Sequence, residues 1–334
     1  MTWPRVEIVR DLQYAAPGGF PLKADLYLPG DAAARVPVIV WVHGGGWRFG
    51  NRRLAPDLSR FYAQAGFAMA SIDYRLSSQA TFPAQLHDLR TAIRWLRSMA
   101  RSYGLDEQRI GLFGSSAGGH LCALAALSNV QSATLREDDA RYAEHPCDVQ
   151  AVVDGYGPTD FLQIDAHRPP DDAVSEDPET LLLPRGMRRS AEPDSFESLL
   201  LGAPIGTCPE RVREANPAAC AAAGAPPFLI LHGRSDTTVP LHQSELLYRA
   251  LAAHDNEVSL CLIDGLGHGF LNRTHLDDGQ PRRMTLTRHV PGRGERVDTY
   301  SRPVFPLIEA FFRRHLTVDA SAGAHLAAIT GDPA

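Results

Sequence analysis

The chain alternates short, nearly continuous apolar runs with longer segments whose apolar residues recur every three or four positions. The short runs are Val36–Val42 (V-P-V-I-V-W-V), Phe67–Ile72, Arg109–Phe113, Val149–Val153, Pro227–Leu231 and Val258–Ile263. Brief, β-branched runs without polar alternation are what strands covered on both faces require. Between them, Leu86, Leu89, Ile93, Leu96 and Met99 keep helical spacing within about Pro83–Ala100. Further helices are predicted over Ala117–Leu127, about Leu241–Ala253 and about Val304–His315. Strands alternating with helices predict an α/β fold, a mostly parallel central sheet with helices on both faces. The start differs: Val6–Leu12 and Leu22–Leu28 flank Pro17-Gly18-Gly19, which predicts a hairpin and an antiparallel opening.

Three stretches break this rhythm. Residues 157–224 hold Pro-rich and charged material, with a short helix expected near Phe196–Leu201; a connection this long reads as a cap or lid-like insertion. Residues 272–301 are long, polar and locally basic, and are expected to be a second, irregular insertion. Residues 317–334 are rich in Ala and Gly and are expected to be a flexible tail. Residues 1–316 are then expected to form a single domain. No internal repeat is evident.

Composition narrows the class without choosing within it. The chain has 334 residues, of which 44% are hydrophobic and 22% charged, as in ordinary globular proteins. A net charge of -6 offers no basic footprint, so nucleic acid is not an expected partner. No apolar run approaches the roughly 18 residues of a membrane span. Met1–Asp11 carries Arg5, Glu7 and Arg10 and no apolar core of a signal peptide. The five cysteines are scattered and show no metal-ligand spacing, so they are expected to be reduced thiols and the protein cytoplasmic. No cofactor or metal is expected, and a homodimer is left open.

The candidate chemistry begins where the run Arg109–Phe113 stops at glycine. Gly114-Ser115-Ser116-Ala117-Gly118 is a G-x-S-x-G between a predicted strand and a predicted helix. That context is the one a nucleophile elbow needs: a turn so tight that the serine is strained and its hydroxyl stands clear of the sheet. A serine nucleophile needs a base and a carboxylate to orient the base, both later in the chain and each after a strand. Asp236 follows Pro227–Leu231, and His268, flanked by glycines, follows Val258–Ile263. After Val36–Val42 comes His43-Gly44-Gly45-Gly46-Trp47, where glycines let backbone N–H groups turn inward. The N–H groups of Gly45, Gly46 and Ala117 are the expected oxyanion donors, each worth about 2.7–4 kcal/mol of barrier.

Taken together, these residues resemble the α/β-hydrolase superfamily, and within it the hormone-sensitive-lipase and carboxylesterase branch, including bacterial esterases similar to feruloyl and acetyl esterases. The resemblance runs from about Val6 to Leu316. It rests on H-G-G-G-W at His43, D-Y-R-L at Asp73, F-P-A-Q-L-H-D at Phe82, G-S-S-A-G-G-H at Gly114, Y-G-P-T-D-F at Tyr156, H-G-R-S-D-T-T-V-P at His232 and G-H-G-F at Gly267. It implies Ser116 as nucleophile, Asp236 as acid and His268 as base, with Gly45, Gly46 and Ala117 as oxyanion donors. Two departures concern substrate: Arg234 stands where relatives often carry an acidic residue, and the segment after Phe270 is long.

Other side chains have less to do. His120 is expected to pack or cap, and His43 to pin the glycine loop by hydrogen bonds. Asp73 and Asp154 both end strands near the site, Asp154 being an alternative acid. Trp47, Tyr156 and Phe270 are expected to line the substrate pocket. His87, His242 and His254 read as surface helix positions. The expected function is hydrolysis of small carboxylic esters. Acyl transfer, cyclisation or amide (formamide) hydrolysis on the same acyl-enzyme is a second reading. A non-catalytic ligand receptor is a third, at odds with three triad members all present.

Overall fold

The computed structural model describes residues 5–30, 35–128, 141–168 and 189–317. The predicted tail, from residue 318 on, and residues 169–188 of the expected cap lie outside the described residues.

The strands are β1 (Val6–Ala15), β2 (Leu22–Pro29), β3 (Val36–Val42), β4 (Ala68–Ile72), β5 (Leu105–Ser115), β6 (Ala151–Gly155), β7 (Phe228–Gly233), β8 (Val258–Ile263), β9 (Arg282–Val290) and β10 (Gly294–Arg302). They form one 10-stranded sheet in the order β1-β2-β4-β3-β5-β6-β7-β8-β9-β10. From β4 to β8 every neighbour is parallel. Both ends are antiparallel: β1 on β2 and β2 on β4 at one edge, β8 on β9 and β9 on β10 at the other.

Successive side chains of a strand point to opposite faces, and β3 shows the consequence. Val38, Val40 and Val42 enter one core, with Leu86, Leu89, Ile93 and Leu96 of the helix Ala84–Ser98 and Leu121 and Leu124 of the helix Ala117–Leu127. Ile39 and Trp41 enter the other, with Phe305, Ile308 and Phe312 of the helix Val304–Leu316. The near-continuous apolar runs are therefore strands buried twice over.

One expectation fails. Residues 282–301 are not irregular: β9 and β10 form a hairpin in unbroken register from Gly294↔Val290 to Arg302↔Arg282, while 273–281 stay in turns. Met284 and Leu286 point inward at 0% and 2% exposure, with Thr285 between them and Thr287 after them half-buried. An edge hairpin buries only one apolar stripe, so two residues at period two suffice, and the surrounding arginines mask them in a linear reading.

Candidate active site

Strand β5 ends at Ser115, and the helix Ala117–Leu127 starts at the second residue after it. Ser116 between them has φ 53° and ψ -121°, a strained geometry for a residue with a side chain. Its N–H donates to the Gly155 carbonyl at 2.7 Å, which fixes the turn to the end of β6. Glycine is required on both sides. A β-carbon on Gly118 would stand 2.0 Å from the Val42 carbonyl oxygen, and one on Gly114 would stand 2.4 Å from Gly118. The motif thus reflects how closely the elbow helix presses on β3 and β5.

The partners arrive from the loops after β7 and β8. His268 Nδ1 lies 2.8 Å from Asp236 Oδ2, and Nε2 lies 2.8 Å from Ser116 Oγ. A carboxylate can only accept, so Nδ1 carries the proton, and Nε2 is free to accept from the serine hydroxyl. Asp236 is fully engaged. Its Oδ1 accepts the N–H groups of Thr238 and Val239 at 2.8 and 2.9 Å, and its Oδ2 is also 3.3 Å from His232 Nε2. Burial alone would raise this carboxyl, but the charge of His268 and the hydrogen bonds of both histidines outweigh burial and hold its pKa well below the carboxylate range. All three residues are buried, at 7%, 7% and 2% exposure for Ser116, Asp236 and His268.

His232 was named in the sequence only as part of a motif. Its Nε2 faces two acceptors, the Val239 carbonyl at 3.0 Å and Asp236, so it donates there, and its Nδ1 accepts from Ser244 Oγ at 2.7 Å. It therefore orients the acid as the acid orients His268. The signal was the histidine opening H-G-x-x-D, four residues before the carboxylate.

The glycine loop turns beside the elbow. A β-carbon on Gly44 would lie 3.0 Å from the Ser115 carbonyl oxygen and 3.3 Å from Ser116 Cβ. Gly45 and Gly46 take φ +102° and +58°, and the Gly45 carbonyl closes the turn by accepting from Arg48 and Phe49 at 3.0 and 2.9 Å. His43 holds the loop as expected: its Nδ1–H donates to Gly44 O at 2.8 Å, and its ring stacks on Tyr74 at 4.2 Å. Burial pushes its pKa down to about 4, so the ring is neutral. Beyond the loop, Arg52 donates to Asp25 and Asp73 at 2.8 and 2.7 Å, which engages Asp73 away from the triad. The first N–H groups of the helix behind Ser116, Ala117 among them, have no partner within the helix by geometry.

Several expected residues land elsewhere. Trp47, Tyr156 and Phe270 are 1%, 0% and 0% exposed, so they do not form an open pocket wall. They back the site: Tyr156 meets the His268 ring at 4.7 Å, Phe270 meets Tyr156 at 4.8 Å, and Trp47 meets His120 at 5.0 Å. Each of these rings packs against a neighbouring ring and is closed to solvent. His120 Nε2 donates to the Ala215 carbonyl at 2.7 Å, a packing role as expected. Asp154 does not meet His268, whose Nδ1 is paired with Asp236. It accepts from Gly157 N–H at 2.9 Å, and burial raises its pKa to about 7. The accessible aromatics near the loop are instead Phe49, 55% exposed, and the half-buried Phe196, neither singled out from the sequence. Arg234, the departure after β7, pairs with Asp264 at 2.9 Å and ties the Asp236 loop to the His268 loop. His242 is half-buried rather than at the surface, stacked on His167 at 3.6 Å.

Among the described residues, no group of three His, Cys, Asp or Glu side chains is placed to hold a metal ion. No helix among them is long and apolar enough to cross a membrane.

Known proteins share this arrangement of sequence and fold. Esterase LipC of Mycobacterium tuberculosis is 34% identical over 242 residues, covering 70% of this chain and 53% of LipC. The chain spans about half the length of the curated relatives it matches. A truncated carbohydrate esterase from gut microbiota superposes with a TM-score of 0.67 at 25% identity, over 83% of this chain and 94% of that one. Thermogutta terrifontis esterase 2, solved phosphonylated by sarin, superposes with a TM-score of 0.60 at 26% identity, over 81% of this chain and 87% of that one. The BD-FAE family profile matches residues 24–251, a span holding the glycine loop, the elbow and Asp236. On that match and this sheet, the chain belongs to the BD-FAE family and carries the α/β-hydrolase fold.

Proposed function

We propose that the protein is a serine hydrolase of small carboxylic esters. The observation that carries this is the continuous chain Ser116 Oγ to His268 to Asp236, each link 2.8 Å long. In this reading His268 Nε2 takes the Ser116 proton as Oγ attacks the ester carbonyl. The Gly45, Gly46 and Ala117 N–H groups stabilise the oxyanion of the tetrahedral intermediate. His268 then gives the proton to the leaving alkoxide, and an acyl-enzyme remains on Ser116. Water, deprotonated by the same nitrogen, releases the acid. Asp236 keeps the imidazole in the tautomer that leaves Nε2 open and stabilises the cation formed in each half-reaction, while His232 keeps Asp236 in place. No cofactor enters the reaction, and the segment 157–224 acts as the cap over the site. Relatives named as esterases, and a structural relative that takes a phosphonyl group from sarin, support the reading.

The test is a comparison of the parent and Ser116→Ala on short-chain aryl esters, with fluorophosphonate labelling alongside. The parent is expected to turn over and to be labelled at Ser116, and the variant to do neither while staying folded. Turnover retained by the variant would refute the assignment.

A further inference from the structure

The described part of the segment 157–224 meets the glycine loop through Phe161, 5.4 Å from Trp47, and through Phe196 on Gly46. The helix Phe196–Leu201 is capped by Ser195, whose Oγ accepts from Ser198 N–H at 3.0 Å and donates to the Ser190 carbonyl at 2.8 Å. Gly202, at φ +72°, ends it. Leu200 and Leu201 are wholly buried. The Leu200 carbonyl accepts from Phe82 N–H at 2.8 Å, and the Leu201 carbonyl from Arg211 Nη1 at 2.8 Å. Cap, leucines and carbonyl anchors seat this helix, and Phe196 packs against the same core as the leucines.

The Phe196 ring, half-buried against the main core, also lies directly on Gly46. A β-carbon at Gly46 would stand 2.6 Å from Phe196 Cδ2 and 2.7 Å from Cγ. The ring occupies the space that a side chain of Gly46 would take. Phe49, from the same turn as the glycines, meets Phe196 edge-on at 5.9 Å and 83°. Three consecutive glycines leave their peptide planes with little steric restraint of their own. A loop of that kind keeps an amide aimed only if something outside it blocks the alternatives.

We propose that Phe196 is a positioning residue for the oxyanion loop: its ring, braced by Phe49, replaces the missing side chain of Gly46 and keeps the Gly46 amide directed at Ser116. The inference rests on the serine-hydrolase reading. It makes the helix Phe196–Leu201 part of the rate-determining geometry.

The experiment compares the parent, Phe196→Ala, Phe196→Leu, Phe196→Tyr, Gly46→Ala and the double variant Gly46→Ala/Phe196→Ala on one short aryl ester. Inhibition by a boronic acid, which forms a tetrahedral adduct on serine, is measured for each. Complete loss of an oxyanion donor costs 10²–10³ in kcat, so loosening one is expected to cost about tenfold. Phe196→Ala and Phe196→Leu should lose that factor in kcat and in boronate affinity, with KM within about twofold. Phe196→Tyr keeps the ring and should restore both. Gly46→Ala should cost less in the Phe196→Ala background than in the parent, because the added methyl then meets no ring. Unchanged kcat and boronate affinity in folded Phe196→Leu would overturn the proposal, as would a loss confined to KM or losses that simply add in the double variant. Turnover by Ser116→Ala would instead overturn the hydrolase reading beneath it, so the two failures are distinguishable.

Discussion

Two long polar connections leave the carboxyl ends of the parallel strands, one after β6 and one after the His268 loop, and they do different things. The first carries Phe196, Leu200 and Leu201 on one short helix, buries both leucines, and lays an aromatic ring on the glycine loop. The second spends its apolar residues, Met284 and Leu286, on extending the sheet, and its outer strand shows Val297 to solvent at 57% exposure. Both are long and polar, so neither property tells whether an insertion joins a site. What differs is the spacing of a few apolar residues. Adjacent leucines behind an aromatic suit a helix end docked on a loop, whereas Met-x-Leu at period two suits a strand.

Variants can break or sharpen that contrast. The largest effect belongs to the loops that carry the site. Asp236→Asn should retain the fold and lower kcat by about 10⁴, because the amide no longer enforces the imidazole tautomer; steady-state kinetics with an aryl ester checks this, and a loss below tenfold would remove Asp236 from its role. The hairpin should behave oppositely. Met284→Ala leaves a cavity against the last helix and should cost about 2–5 kcal/mol of stability, read by urea unfolding, while kcat of the folded enzyme stays within about twofold. A large fall in kcat would mean that β9 supports the site as the first insertion does.

Acid should act through buried rings, at the site and also at His315, which burial beside Arg288 of the hairpin holds at about 4. Burial holds His43 and His120 at about 4 against an ordinary 6.5. Between those values the unfolded chain binds protons that the folded chain refuses, so stability falls as pH drops through that window, by about 3 kcal/mol for each ring. Asp154 works against them. Its folded pKa of about 7, raised by burial, lies above the ordinary 3.8, so the folded state holds a proton that the unfolded state has released, and stability rises as pH drops from about 7 to about 4. Asp154→Asn should therefore steepen the acid loss by a few kcal/mol, measured as unfolding free energy at pH 7 and pH 4.5. An unchanged slope would show that Asp154 is ionised in the folded protein. The smallest effect is expected at the outer strand: Val297→Lys should change stability by less than about 0.5 kcal/mol and leave kcat alone, by thermal melting and the same ester assay.

Much of the site was legible because each part is local. A strained serine between two glycines, a carboxylate after β7 and a histidine after β8 are written within a few residues of strand ends that hydrophobic runs already marked. The helix Phe196–Leu201 and the strand Val258–Ile263 were legible to the residue for the same reason. The aromatics were not. Trp47, Tyr156 and Phe270 have the chemistry of pocket walls, and only their neighbours in space, His120, His268 and Tyr156 itself, turn them into packing behind the triad. His232 was legible only as the opening of H-G-x-x-D, and its contact with Asp236 emerged from the fold.

By itself the sequence determined the alternation of twice-buried strands and helices, and the order in which Ser116, Asp236 and His268 leave the sheet. Both follow from short-range rules: side-chain alternation, turn sterics and the chemistry of the residue types. The tertiary structure alone decided the destinations of the two insertions, the placement of His232 against Asp236 and of Phe196 on Gly46. Those contacts join residues 4 to 150 positions apart, and no local preference specifies them; they follow from which surfaces remain open once the sheet and its helices have closed.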